Sequence, residues 1–298
     1  MSVSSFVRAT NVDDAVAALV NGARPVAGGT DLVVGARQGK APLPESIVAI
    51  DRVTELRGLS ELDGALRLGA LATHEEIAVH PLVLERFTAL ADASAIVGSH
   101  ATRAQGTIGG NLMNASPAME TGGPLMCLGA SVMLTSPRGS RWVPVDELFT
   151  GPGGTVAQGD ELLVAVDVPA PAEGTGSAYV RLEYRRQMEI AVVGATAAVT
   201  VDAGSVSAAR VAITALAPTI RRVPASEEAL TGSDGGAEAI AAAAAAAAAA
   251  SVPISDVRAS EAYRRAMAEV MARRAIAAAI TRARGKHVPV PASSGGTS

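Results

Sequence analysis

Two glycine-centred elements constrain this chain more than any other feature in it. The first, Arg24-Pro25-Val26-Ala27-Gly28-Gly29-Thr30-Asp31-Leu32, runs from a short strand into paired glycines and then into hydroxyl and carboxylate side chains. Paired glycines admit positive φ and let another group come close to bare backbone. Thr30 and Asp31 are suited to capping the helix that follows. Backbone N–H groups turned inward here would form an anion nest, matched to a pyrophosphate; the competing reading is an ordinary tight turn and helix cap. The second element is Gly106-Thr107-Ile108-Gly109-Gly110-Asn111-Leu112-Met113-Asn114-Ala115-Ser116-Pro117. Such a polar, sterically thin wall is expensive to bury unless a ligand or the protein answers its hydrogen bonds. Neither element is a G-x-G-x-x-G fingerprint or a Walker A loop, which disfavours the common nucleotide folds.

Composition narrows the classes. With 298 residues, 49% hydrophobic, 2% aromatic and 62 alanines, the interior must be aliphatic and closely packed, and disorder fails as a description of most of the chain. A net charge of −4 offers no global attraction to nucleic acid or anionic membrane. The single Cys127 cannot form an internal disulfide or hold an iron–sulfur cluster, and it reads as a buried, inert thiol. Four scattered histidines lack metal-ligand spacing, and His74 and His100 read as cap or surface residues. No secretory signal is apparent, and the apolar tract Ala241–Ala250 is too short for a membrane span, so a soluble cytoplasmic protein is expected.

Along the chain, a helix beginning near Asp13 and Asp14 and strands at 24–27 and 46–50 form a first α/β segment, 1–55. In the second, 56–172, two strands flank the Asp63-Gly64 turn, and Thr73 with Glu76 forms a capping box. A helix at 81–98, strands at 125–134 and 162–168, and a turn in PRGSRWVP complete it. The third, 173–285, has extended runs at 179–184, 191–201 and 207–216, then helices at 226–230, 237–250 and 260–281. The last helix reads as a core helix with a solvated basic face that includes Arg264. Residues 286–298, rich in Pro, Gly and Ser, are expected to form a disordered tail.

At this point the sequence resembles the FAD-binding medium subunit of the molybdenum hydroxylases, the family of carbon monoxide dehydrogenase and xanthine dehydrogenase flavoproteins. The resemblance rests on PVAGGTDL at 25–32, GTIGGNLMNASP at 106–117, LRLGALATHEEI at 66–77, YRR at 184–186 followed by IAVVGATAAV at 190–199, and ISDVRASEAYRR at 254–265. It implies an α+β chain: a vanillyl-alcohol-oxidase-type (PCMH-type) FAD-binding domain of two α/β subdomains, then a small C-terminal domain of three antiparallel strands with helices. It implies that Ala27, Gly28, Gly29, Thr30 and Asp31, with Leu32 closing the motif, and Thr107, Ile108, Gly109, Gly110 and Asn111 wrap the diphosphate and ribityl chain, with Ser116 in the second motif. Glu120 stands where relatives often carry an aspartate bonded to the ribityl hydroxyls. The resemblance also puts Tyr184 and Arg185 in the cofactor set, Tyr184 reading equally as a contact to the isoalloxazine, a subunit-interface residue or a structural aromatic; the relatives' Arg-Arg-x-Gly-Asp is here Arg185-Arg186-Gln187-Met188-Glu189.

By the same resemblance, the chain takes electrons from a small partner carrying two [2Fe-2S] clusters, fed by a large molybdopterin subunit, within a heterohexamer. No residue here then acts as a catalytic acid or base, and none binds metal. The rival readings are a self-contained flavin-dependent oxidoreductase and a degenerate scaffold without flavin. Replacing Gly109 and Gly110 by Val is expected to abolish FAD retention by filling an inward-facing nest.

Overall fold

The computed structural model describes residues 3–39 and 41–292. The chain opens with β1 (Ser5–Arg8), α1 (Val12–Val20), β2 (Arg24–Val26), α2 (Leu32–Arg37) and β3 (Ser46–Ala49). The strands form a parallel sheet in the order β1-β3-β2. Helix α1 is started by Asn11, whose side chain accepts the Asp14 N–H, and it buries Ala15, Val16 and Leu19. Strand β1, not anticipated from the sequence, is exposed throughout and so carries no alternating pattern to betray it.

Next come β4 (Leu59–Leu62), β5 (Ala65–Gly69), and helices α3 (His74–Val79), α4 (Pro81–Arg86), α5 (Thr88–Ile96), α6 (His100–Gln105), α7 (Ile108–Asn114) and α8 (Gly122–Cys127). They are followed by β6 (Ser131–Ser136), β7 (Gly139–Pro144), α9 (Val145–Leu148), the small hairpin β8 (Phe149–Gly151) and β9 (Gly154–Thr155), and β10 (Leu162–Val168). Strands β4-β5-β10-β6-β7 make an antiparallel sheet. One face, through Leu66, Leu68, Val132, Leu134 and Val166, packs on the helices; the other, through Val164 and Ala165, packs on the first sheet.

Three local expectations are corrected here. The helix expected over 81–98 breaks at Phe87, which is fully buried and turns out of helical geometry to fill the core. The strand expected over 125–134 is helix α8 followed by β6, because Gly129 reverses the chain at φ +75°; an apolar run without period does not distinguish the two. PRGSRWVP is mostly strand β7, an edge strand that tolerates Pro144 at its end.

The last part contains β11 (Thr175–Leu182), β12 (Val193–Asp202), β13 (Ser205–Thr214), β14 (Arg221–Arg222), α10 (Pro224–Leu230), α11 (Ala237–Ala249) and α12 (Glu261–Ala283). The three expected antiparallel strands are joined by the two-residue β14. Strand β12 is buried on both faces, between α8 and α12. Helix α12 approaches so closely that a Cβ on Gly176 would lie 2.3 Å from the Ala279 carbonyl oxygen. Arg264 is buried rather than on a solvated face: its Nη1 donates to the Val192 carbonyl at 2.6 Å and its Nη2 to Asp256 at 2.7 Å.

Residues 286–292 of the expected tail are docked. Arg282 donates to the Val288 and Pro289 carbonyls and pairs with the fully buried Asp92 at 2.6 Å, and the Ala292 N–H donates to the same carboxylate at 2.9 Å. Residues 293–298 of that tail lie outside the described residues. No helix among the described residues is long and apolar enough to cross a membrane.

Candidate functional site

The first glycine element leaves β2 as a turn and enters α2. Gly29 holds φ +69°, the left-handed conformation that favours glycine. Gly28 is glycine for another reason: a Cβ there would sit 1.8 Å from the Gln105 carbonyl oxygen. The turn therefore lies against the junction of α6 and α7. The Gly29 and Asp31 carbonyls accept the Val33 and Gly35 N–H groups, while the amides of Gly28, Gly29 and Thr30 meet no acceptor among the described residues. Asp31 stands at the N-cap of α2 without bonding it through its side chain, contrary to the capping expectation. Ala27 packs on the first core, and Leu32 opens a helix with no buried residue. Three consecutive bare donors on a half-buried turn are what an anionic ligand needs.

The second element is a helix start, not an open loop. Thr107 caps α7, its Oγ1 accepting the Gly110 N–H at 3.1 Å. The Ile108 and Gly109 amides donate to the Ala72 and Ala70 carbonyls, each at 2.9 Å. These bonds correct the nest expected at Gly109 and Gly110. Gly109 is required by packing, since its Cβ would lie 2.7 Å from the Ala70 oxygen, whereas Gly110 is exposed and meets only Thr107 Oγ1. Asn111 accepts from Thr121 Oγ1 at 2.6 Å. Ser116 Oγ accepts the Ala118 N–H within the following turn.

Glu120 is buried, and its Oε1 accepts from Arg181 Nη1 on β11 at 2.6 Å. Burial pushes its carboxyl up to about 6, partly opposed by Arg181. The carboxylate is thus committed to the C-terminal sheet, a partner that its position after the second motif did not reveal. Tyr184 is exposed and donates from its hydroxyl to the Arg258 carbonyl at 2.5 Å. Arg185, also exposed, donates to the Met188 carbonyl and pairs with Glu189. Their loop docks on α6, with the Met188 N–H on the Gly98 carbonyl and Thr102 Oγ1 on Met188 Sδ.

Helix α6 therefore touches both the first glycine turn and the Tyr184–Glu189 loop. Sequence reading missed the part that Gln105 and His74 play at this junction, beside Gly106 of the second motif. His74, expected at a cap or on the surface, is buried next to Gly106. Burial, with the Arg103 charge, holds its imidazole down at about 4, hence neutral. The Gly106 carbonyl accepts the His74 N–H at 3.1 Å. Cys127 is buried and its thiol is pushed up by burial, so it is no nucleophile. A cavity of about 330 Å³ lined by Leu56, Arg57, Arg67, Met133 and Val164 contains none of the residues selected from the sequence.

With this geometry in place, comparison with known proteins is decisive. The family model described as the FAD binding domain in molybdopterin dehydrogenase matches residues 2–171, and that of the CO dehydrogenase flavoprotein C-terminal domain matches 178–279. The carbon monoxide dehydrogenase medium chain of Hydrogenophaga pseudoflava is 34% identical over 239 residues, covering 80% of this chain and 83% of that one. The xanthine dehydrogenase FAD-binding subunit of Escherichia coli O157:H7 is 30% identical over 95% of this chain and 98% of its own length. Among solved structures, the carbon monoxide dehydrogenase of Hydrogenophaga pseudoflava superimposes with a TM-score of 0.90 at 34% identity over 94% of this chain and 98% of that one. Quinoline 2-oxidoreductase from Pseudomonas putida 86 does so at 0.88 and 27% identity, over 95% and 98%.

The chain belongs to the FAD-binding flavoprotein family of the molybdopterin, xanthine and CO dehydrogenases, medium-subunit type. It has the PCMH-type fold and is the FAD-binding electron-transfer subunit of a molybdenum hydroxylase-type multisubunit enzyme. Enzymes of this family generally pair it with a molybdopterin subunit and an iron–sulfur subunit.

Proposed function

We propose that the turn Ala27–Asp31, with Leu32, receives the FAD diphosphate on the amides of Gly28, Gly29 and Thr30, against a wall formed by Thr107, Ile108, Gly109, Gly110, Asn111 and Ser116. The observation that carries this is the run of three amides without a described acceptor, in a turn whose glycine faces the α6–α7 junction. Bound FAD supplies exchange of one or two electrons. The chain's own residues bind and orient. Thr107 fixes the start of α7, and Arg181 holds Glu120 at the edge of the wall. Tyr184 and Arg185 border the site through α6. No side chain in this set is asked to transfer a proton.

In this reading the functional units are 1–55 and 56–172, which enclose the cofactor, and 173–285. The partners are a large molybdopterin subunit and a small subunit with two [2Fe-2S] clusters, arranged as a heterohexamer in the cytoplasm. The test is native purification, the visible spectrum, and quantification of released flavin, molybdenum and iron. Near one FAD per chain with two metal-bearing partners is the expected result. No flavin after reconstitution would overturn the assignment of the glycine turn, and turnover by the isolated chain would favour a self-contained oxidoreductase.

A further inference from the structure

Buried guanidinium groups in this chain are otherwise matched by carboxylates. Arg181 pairs with Glu120 at 2.6 Å and with Glu183, Arg264 with Asp256 at 2.7 Å, and Arg282 with Asp92 at 2.6 Å. Arg103, on α6 and only 8% exposed, is not. Its Nη1 donates to the Val97 carbonyl at 3.1 Å and its Nη2 to His100 Nδ1 at 3.0 Å. An arginine only donates, so that Nδ1 carries no proton and both acceptors are neutral. No carboxylate among the described residues, those of Asp31, Glu75 and Glu76 included, forms an ion pair with Arg103. Glu76 spends its carboxylate on the Thr73 N–H and hydroxyl. A buried charge without an opposite charge is destabilising, and the carbonyl end of α6 offsets it only in part.

The position of this cation gives it a use. Arg103 lies in the last turn of α6, two residues before Gln105, whose carbonyl bounds the first glycine turn at Gly28. It is also near His74, whose imidazole is held neutral by burial first and then by the Arg103 charge. His74 and Thr30 meet at Gly106, where a Cβ would lie 3.3 Å from His74 Cδ2 and 3.5 Å from Thr30 Oγ1. The guanidinium is thus close behind the turn that presents the bare amides of Gly28, Gly29 and Thr30. Those amides offer directed donors without net charge, whereas a diphosphate brings full negative charges. A buried cation acts on them through a low dielectric that salt screens little.

We propose that Arg103 is a positioning residue for the phosphate-bearing part of the cofactor, supplying from within the α6–α7 junction the counter-charge that the glycine turn lacks. Its two bonded nitrogens are committed to Val97 and His100, so it acts through its field on a ligand held by the turn. The inference rests on the reading of Ala27–Asp31 as the diphosphate turn, and it adds a charge requirement that neither glycine motif contains.

The test uses the full chain stripped of flavin, as wild type, as Arg103→Gln, which keeps a donor without the charge, and as Arg103→Lys, which keeps the charge. Each is titrated with FAD, with riboflavin, which has no phosphate, and with inorganic pyrophosphate as competitor, and each is melted without ligand. Arg103→Gln should weaken FAD and pyrophosphate by about tenfold or more and leave riboflavin unchanged. Its flavin-free melting temperature should not fall, because the variant removes an uncompensated charge. Arg103→Lys should recover most of the FAD affinity. Unchanged FAD and pyrophosphate affinities in Arg103→Gln would overturn the proposal. So would equal losses for FAD and riboflavin with a lower melting temperature, the signature of a merely structural arginine, or an Arg103→Lys no better than Arg103→Gln. A folded wild-type chain that takes up no FAD would instead overturn the reading of the glycine turn.

Discussion

Gly28→Ala tests the geometry of the glycine turn most directly. The new methyl would stand 1.8 Å from the Gln105 oxygen and 2.6 Å from its carbon, both backbone atoms that cannot swing aside. To restore ordinary contact the turn must withdraw from the α6–α7 junction by more than about 1 Å. Overpacking of this kind costs about 1–3 kcal/mol, a fall of a few degrees in the melting temperature of the flavin-free protein. The displaced turn also re-aims the amides of Gly28, Gly29 and Thr30. Losing one charge-assisted bond to a phosphate weakens FAD by about 1.5–3 kcal/mol, or roughly tenfold to a hundredfold in Kd. Titration of FAD into stripped protein, followed by flavin fluorescence, measures this. Gly29→Ala is the contrasting variant. Its Cβ would meet side chains rather than backbone, Val33 Cγ2 at 3.3 Å having to give by a few tenths of an ångström, and its main cost is the left-handed strain of about 1–2 kcal/mol, so stability should fall with less effect on Kd. A Gly28→Ala protein with wild-type Kd and melting temperature would refute the claim that this glycine is set by its contact with Gln105.

Other outcomes follow from the same structure. Gly109→Val should fail at folding, by collision with Ala70, whereas Gly110→Val should fold and lose flavin; circular dichroism and flavin content separate the two. Glu120 has its carboxyl raised to about 6 from 4.5, so the folded chain binds the extra proton; its contribution to stability is greatest below 4.5 and is lost as pH rises through 6. Wild type should therefore lose stability relative to Glu120→Gln across that window in urea titrations, and parallel profiles would contradict it. Asp256, lowered to about 2 from 3.8 by its bonds to Arg264 and backbone amides, has the opposite sign: its contribution holds above 3.8 and disappears as pH falls through 2. Asp92→Ala strands the buried Arg282 and should cost about 3–5 kcal/mol, read as a lower denaturation midpoint.

What could be read in the sequence was local. The Asp63-Gly64 hairpin, the strand 162–168, and the Thr73–Glu76 capping box lie where short-range pattern puts them, since turn and cap chemistry is decided within a few residues. The two glycine motifs and their family were legible for the same reason. The cause of each glycine was not. Gly28 answers to Gln105 and Gly109 to Ala70, contacts made across the chain that leave no mark on neighbouring residues. The same holds for Glu120, whose position after the second motif suggests a ligand contact while a guanidinium 61 residues away donates to it. Helix α8 reads as strand in the sequence because its glycines and apolar residues are buried on every side, which erases the period that would declare a helix.

The bond between Asp92 and the Ala292 amide spans 200 residues, and the Arg282 pairing spans 190. During synthesis the carboxylate emerges long before the guanidinium that neutralises it and the amide that donates to it. Until then the acid on α5, beside the fully buried Ala89 and Ala93, has only the Tyr179 N–H of its protein donors and no counter-charge, and the helix cannot settle into its final burial. The closing residues thus set a temporal order on assembly. The seam between α5 and the last sheet becomes complete only once residues 282–292 have followed it out of the ribosome.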